Sequence, residues 1–193
     1  MREHLLLLLI AISILSCGPS SEQLKCTQSG EFEICTPNNW NHVETDKAIF
    51  FSGLSDSIRN TFAIMQSLDL DWSTEEYILE LNRQLTEDTI EVFTGYTLQR
   101  MQIDDIPTNT YYVQIDTKLD NQEYRAFGMV WRDDSHLNEF MIKRLATDFE
   151  TGYKELSQVI FNLKSDGQSV FDRETELEYE LTSFEEIARE KSP

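Results

Sequence analysis

Basic residues are scarce in this 193-residue chain: 16 Lys and Arg stand against 35 Asp and Glu, a net charge of −19. Nucleic acid is therefore not an expected partner, because binding it takes a basic footprint, and adsorption to anionic lipid headgroups is disfavoured for the same reason. Histidine and cysteine number three each, and no two histidines have the spacing of a metal site. The seven glycines are scattered, so there is no phosphate-cradling loop. No Gly-x-Ser-x-Gly elbow occurs either. Nowhere does an apolar run reach the roughly 20 residues that a spanning helix needs. What the chain does have is a short apolar run at its start, a regular change of hydrophobic period through its middle, and an acidic end.

The start reads as a secretory signal. Arg2 and His4 precede an apolar stretch from Leu5 to Leu15, followed by the small residue Ser16 and then Cys17. Ile14-Leu15-Ser16-Cys17 resembles the bacterial lipobox, although Leu15 is bulkier than most residues at its place in that motif. The resemblance implies cleavage before Cys17 and a diacylglyceryl thioether on that cysteine. Dual acylation would then hold the protein stably on a membrane. The expected organisation is a signal peptide over 1–16, a tether over 17–23, one α/β domain over 24–165 and an acidic tail over 166–193. The expected location is the cell envelope, on a bacterial membrane, outer in preference to inner, with the domain on its periplasmic or surface face.

With Cys17 assigned to lipid, Cys26 and Cys35 remain as a pair in an oxidising compartment. A two-residue turn at Gly30-Glu31, glycine first as type II′ requires, would set Ser29 against Phe32 and Cys26 against Cys35. That position suits a disulfide. A turn centred on Ser29-Gly30 would instead set Cys26 against Glu33, and two free thiols would result.

Ala48–Gly53 and 60–68 read as strands. Residues 73–86 read as a helix with Tyr77, Ile78, Leu81 and Leu85 on one stripe, started by a Ser73/Glu76 capping box and a Trp72–Tyr77 staple. Residues 89–104 look strand-like with a break near Gly95. Three more strands follow over 109–119, 123–132 and 136–146, turning at Asp120-Asn121-Gln122 and at Asp133-Asp134-Ser135. A closing helix is expected over 148–164, capped by Thr147 and Glu150. Phe149, Tyr153, Leu156, Val159, Ile160 and Leu163 fall on one of its faces. The fold class is α+β, a twisted antiparallel sheet covered by helices.

Element order and landmarks resemble the PsbP-like family, an α/β/α sandwich. An early strand ends in Pro37-Asn38-Asn39-Trp40, strands follow around Phe51 and Asn60-Thr61-Phe62, and then come the Ser73–Tyr77 helix start, the meander from Tyr111 to Arg144 and a long last helix. The resemblance spans roughly 31–165. It implies a binding or assembly module with no shared catalytic site, so no functional residue carries over.

No catalytic residue, metal ligand or cofactor is expected. His42 and His136 remain after cleavage, and His136 beside Asp133 and Asp134 reads as a solvated turn. Asp69, Asp71, Ser73 and Glu80 match calcium-loop positions, but Thr74 stands where the loop needs glycine. The 35 acids offer too many carboxylate pairs for spacing to single one out. The tail, with nine acids and three bases, alternates Glu174, Glu176, Glu178 and Glu180 with Thr175, Leu177, Tyr179 and Leu181. Leu177, Tyr179 and Leu181 are candidate contacts for an envelope protein partner's sheet edge, and deleting the tail is expected to leave a folded core. The function expected is a non-enzymatic, lipid-anchored binding or assembly module. The alternative is a small-ligand carrier or hydrolase with a pocket between sheet and helix.

Overall fold

The structure, a computed structural model, describes residues 24–46, 48–53, 62–68, 71–103, 106–171 and 178–192. Cys17 and Leu177 lie outside them.

The first hairpin joins β1 (Leu24–Ser29) to β2 (Phe32–Pro37) through Gly30-Glu31. Gly30 takes φ +55°, the positive value at the first central position for which a type II′ turn favours glycine. Ser29 therefore faces Phe32 and Cys26 faces Cys35. The two cysteines are bridged across a Cα–Cα distance of 4.0 Å. Closing so short a loop lowers the entropy of the unfolded chain, so Cys35→Ser should cost roughly 2–3 kcal/mol. Urea unfolding of the two proteins, with and without reductant, measures it; equal midpoints would remove the stabilising role.

After β3 (Trp40–Glu44), β4 (Ala48–Gly53) and β5 (Phe62–Leu68), the chain forms α1 (Thr74–Glu87). The expected capping box is present: the Glu76 backbone N–H donates to Ser73 Oγ at 3.3 Å, and the Ser73 N–H donates to the Glu76 carboxylate at 2.7 Å. A long meander follows in β6 (Val92–Ile103), β7 (Ile106–Leu119), β8 (Gln122–Arg132) and β9 (Leu137–Leu145). The break near Gly95 is a register shift between Phe93 and Gly95. Asp120 and Asn121 turn the chain between β7 and β8 with φ of 50° and 63°, the two positive values of a type I′ hairpin.

The closing helix differs from expectation at both ends. A 3₁₀ turn at Ala146–Asp148 leads into α2 (Phe149–Ile160), and its N-cap, Asp148, makes no side-chain cap hydrogen bond. Thr147 bonds Asp148 at 3.3 Å instead of capping. The helix stops at Ile160 because the chain turns there into β10 (Lys164–Ser165), which pairs with β2, and β11 (Gln168–Ser169). Leu163, buried as expected, sits beyond the helix. Strand β12 (Glu178–Thr182) and helix α3 (Phe184–Lys191) end the chain.

Two antiparallel sheets result. The larger runs β12-β6-β7-β8-β9-β5-β4-β3, the smaller β1-β2-β10-β11. Strand alternation sends Phe127, Met129, Phe140 and Ile142 to one side of the large sheet, where they pack on Leu156 and Val159 of α2 and on Phe32 and Ile34 of the small sheet. Leu98, Val113, Ile115 and Val130 point the other way, onto Ile78 of α1 and Phe184 and Ile187 of α3. The large sheet is thus covered on both faces, as an α/β/α sandwich requires.

The boundary drawn at residue 165 is corrected by this packing. Phe171, Phe184 and Ile187 are buried, and β12 pairs residue by residue with β6, Tyr179 opposite Met101 and Leu181 opposite Gln99. Polar contacts fasten α3 as well. Arg100 donates to the Glu190 carboxylate at 2.6 Å and to the Tyr111 hydroxyl at 2.9 Å, which in turn donates to Glu75 of α1 at 3.0 Å. Lys191 donates to Ser73 at 2.7 Å. Residues 178–192 belong to the domain, since an amphipathic strand and helix bury more apolar surface against a free sheet edge and face than they could as a solvated appendage.

Candidate functional site

A cleft of about 730 Å³ opens where the Gly30-Glu31 turn of the small sheet stands over the end of the large one. Its floor is apolar, from Phe32, Ile34, Ile49 and Met65. Its rim is polar: Glu31 from the first hairpin, Glu44 from the end of β3, Asp46 from the connection of β3 to β4, and His136 from the turn between β8 and β9. Thr45 shapes that connection, its hydroxyl donating to the Ala48 carbonyl at 3.0 Å and accepting from the Ala48 N–H at 3.2 Å. Ser29 Oγ donates to Glu44 at 2.5 Å, joining the two walls. The Ser67 hydroxyl lines the cleft and is buried with no hydrogen-bond partner among the described residues. A buried hydroxyl left unpaired is costly, so this one is ready to bond an occupant. Lys and Arg are absent from the described lining residues.

The turn from β8 to β9 positions His136 at the rim. Asp133 Oδ1 accepts from the backbone N–H groups of Ser135 and His136 at 2.8 and 2.7 Å, and Oδ2 accepts from Asn138 at 2.7 Å. Burial pulls the Asp133 carboxyl upward, but these donors outweigh it and hold the group below its ordinary range.

A buried acid lies across the large sheet, facing α1. Glu139 is 8% exposed and accepts from Tyr77 Oη at 2.6 Å and from the Gln66 amide. Burial raises its pKa despite both hydrogen bonds, and the neighbouring Tyr77 is raised too, by burial first and then by the Glu139 charge. Folding thus favours protonated Glu139. A folded pKa above the unfolded one gives stability that is complete below the ordinary glutamate pKa and is lost as pH rises through the folded value. Glu139→Gln should therefore stabilise the protein at neutral pH and flatten its stability against pH. Thermal unfolding across mildly acidic to neutral pH measures this, and a variant with the wild-type slope would contradict it.

Other candidates resolve simply. The space between sheet and helix that the alternative reading requires measures only about 60 Å³, beside Tyr112, Tyr153, Leu156 and Phe171. That holds roughly two waters, because aromatic side chains fill the gap. Ser73 caps α1 and Glu80 bonds Arg83 and Gln84, so both are engaged within the helix rather than in a calcium loop; Asp69 lies outside the described residues. His42 stands beside the Phe51 ring, centroids 6.3 Å apart. Leu181 is exposed on the edge strand.

With two helices on one face and a helix plus a small sheet on the other, the architecture can be compared with solved structures. CyanoP, the cyanobacterial PsbP of Synechocystis sp. PCC 6803, matches with a TM-score of 0.53 over 78% of this chain and 97% of its own, at 13% identity. The fold is PsbP-like. Weaker similarities, at 9% identity, are to PA94, a Pseudomonas aeruginosa protein of unknown function and putative regulator (TM-score 0.45, 70% of this chain and 92% of that one), and to LpqN. LpqN, involved in cell envelope biogenesis of Mycobacterium tuberculosis, has a TM-score of 0.46 over 74% of this chain and 90% of its own. No protein-family model and no curated protein matches the chain. Among the described residues, no helix is long and apolar enough to cross a membrane.

Proposed function

We propose that this is a cell-envelope lipoprotein, tethered through Cys17, whose PsbP-like domain binds a partner without transforming it. The cleft carries the reading, with its apolar floor, unpaired Ser67 hydroxyl and one-signed rim. Such a surface suits a partner segment that presents an apolar side chain next to a basic one, since complementary charge steers and orients the encounter while apolar contact supplies affinity. A protein of the bacterial envelope offering such a segment is the partner expected. The cleft volume also lies in the range of small-molecule sites, which supports a second reading, a carrier of a small cationic amphiphile.

Two experiments test the proposal. Cys17→Ala should abolish labelling by a fatty-acid probe and release the protein from membranes; unchanged labelling would refute the anchor. A fluorescent peptide alternating Lys and Leu should bind the full chain, weaken as salt rises, and weaken further with Glu44→Gln/Asp46→Asn. Equal binding by that double variant would remove the cleft from the reading.

A further inference from the structure

At one end of the cleft, residues far apart in the sequence converge. Glu31 comes from the β1–β2 turn, Asp133 and His136 from the β8–β9 turn, and one potential ligand atom from each lies within 4.8 Å of the others. His136 Nδ1 is 3.9 Å from Glu31 Oε1 and 4.0 Å from Asp133 Oδ1. Those separations are too long for hydrogen bonds. Yet Nδ1 is shielded from solvent and has no hydrogen-bond partner. The ring nitrogen thus faces two carboxylates with nothing between to pair it.

We propose that Glu31, Asp133 and His136 bind one divalent transition-metal ion of the Zn²⁺ class. One imidazole with two carboxylates is a borderline donor set, of the kind that Zn²⁺ accepts and that hard ions such as Mg²⁺ do not prefer. Around a tetrahedral ion with bonds of about 2.0–2.2 Å, ligand atoms sit roughly 3.4 Å apart. The two histidine–carboxylate pairs must therefore close by about half an ångström, and the two carboxylates, within 4.8 Å of each other, by no more than about 1.4 Å. Side-chain torsions supply that without moving either strand.

The surroundings fit ligation. Metal-binding carboxylates are themselves held by hydrogen bonds, and Asp133 is held by two backbone N–H groups and the Asn138 amide. The Glu31 carbonyl accepts from the Asp166 N–H at 2.9 Å, which fixes the turn that carries the side chain. Three protein ligands leave one position of a tetrahedral ion open. Glu31 and His136 both line the cleft, so the open position belongs to water or to a group of whatever enters it. An ion here would also tie the small sheet to the large one, which the Cys26–Cys35 bridge, lying within the small sheet, does not do. The site stands whether or not the cleft receives a basic segment, whose contacts are assigned to Glu44 and Asp46.

The test is Zn²⁺ binding by the full chain, measured by calorimetry in excess Mg²⁺ so that scattered surface acids are occupied. Saturable one-to-one binding is expected, weakened at least about a hundredfold by His136→Ala and by Glu31→Gln, since loss of outer hydrogen-bond partners alone costs 10–100-fold. His42→Ala should bind like the wild type. Zn²⁺ should raise the unfolding temperature of the wild type and of His42→Ala but not of the other two variants. Circular dichroism confirms that each variant is folded. Absence of saturable binding by the wild type would overturn the proposal, as would binding that survives His136→Ala or Glu31→Gln unchanged.

Discussion

Truncation after Ser165 should leave a chain that does not fold. It removes Phe171, Phe184 and Ile187 from the core, and fully burying one such side chain is worth about 1.5–3 kcal/mol. It also deletes the strand that pairs with β6 and strips α1 of its neighbour α3, uncovering Leu98, Val113 and Ile115. Summed, these losses are comparable to the roughly 5–15 kcal/mol by which a domain of this size is stable. Near-ultraviolet circular dichroism and urea unfolding of the truncated protein decide the matter. A cooperative transition near the wild-type midpoint would show that the end of the chain is dispensable. The finer variant Ile187→Asp, which buries a charge at a fully covered position, should lose several kcal/mol while keeping the rest of the chain.

Gly128→Ala is expected to be almost as damaging, for a different reason. Gly128 lies at the centre of β8, paired with Val113 on one side and Met141 on the other. A Cβ there would stand 1.9 Å from the Phe140 carbonyl oxygen and 2.8 Å from the Met141 Cα. Both are backbone atoms, so no rotamer change relieves the clash. The strand must move away from β9, breaking ladder hydrogen bonds in the middle of the sheet. A loss of roughly 4 kcal/mol or more follows, in the rare class of single substitutions. Chemical denaturation measures it, and a midpoint within error of the wild type would contradict the packing. Gly152 makes a milder version of the same demand: its Cβ would meet the Phe127 ring at 2.7 Å and the Arg144 side chain at 2.5 Å, and side chains can yield where backbone cannot.

Local signals in the sequence were legible where one segment contained the whole cause. The Ser73/Glu76 box, the Gly30-Glu31 turn and its cysteine register, and the period-two strands of the meander all depend on residues a few positions apart, and all appear as expected. The start of α2 was misread because a Thr-x-x-Glu pattern is compatible with a cap but does not compel one; the 3₁₀ turn, which brings Phe149 against Phe127, prevails. The acidic tail was legible as an alternating strand. Its destination was not, since any free sheet edge fits such a pattern and only the assembled sheet offers β6. The cleft was illegible for the same reason. Its residues come from four separate segments, and the contact between Glu31 and His136 joins turns that no local periodicity connects.

Each sheet closes with a strand from late in the chain. β2 waits for β10, Glu33 meeting Lys164, and β6 waits for β12, Arg100 meeting Glu180. Such pairings bring together residues far apart along the polymer, so loop-closure entropy is spent before any contact repays it, and topologies of this kind fold in about milliseconds to seconds rather than microseconds. During synthesis neither sheet can be completed until the last strands have emerged. Both sheets consequently stay incomplete until residues 164–182 are available, which leaves one edge of β2 and one edge of β6 unpaired for most of synthesis.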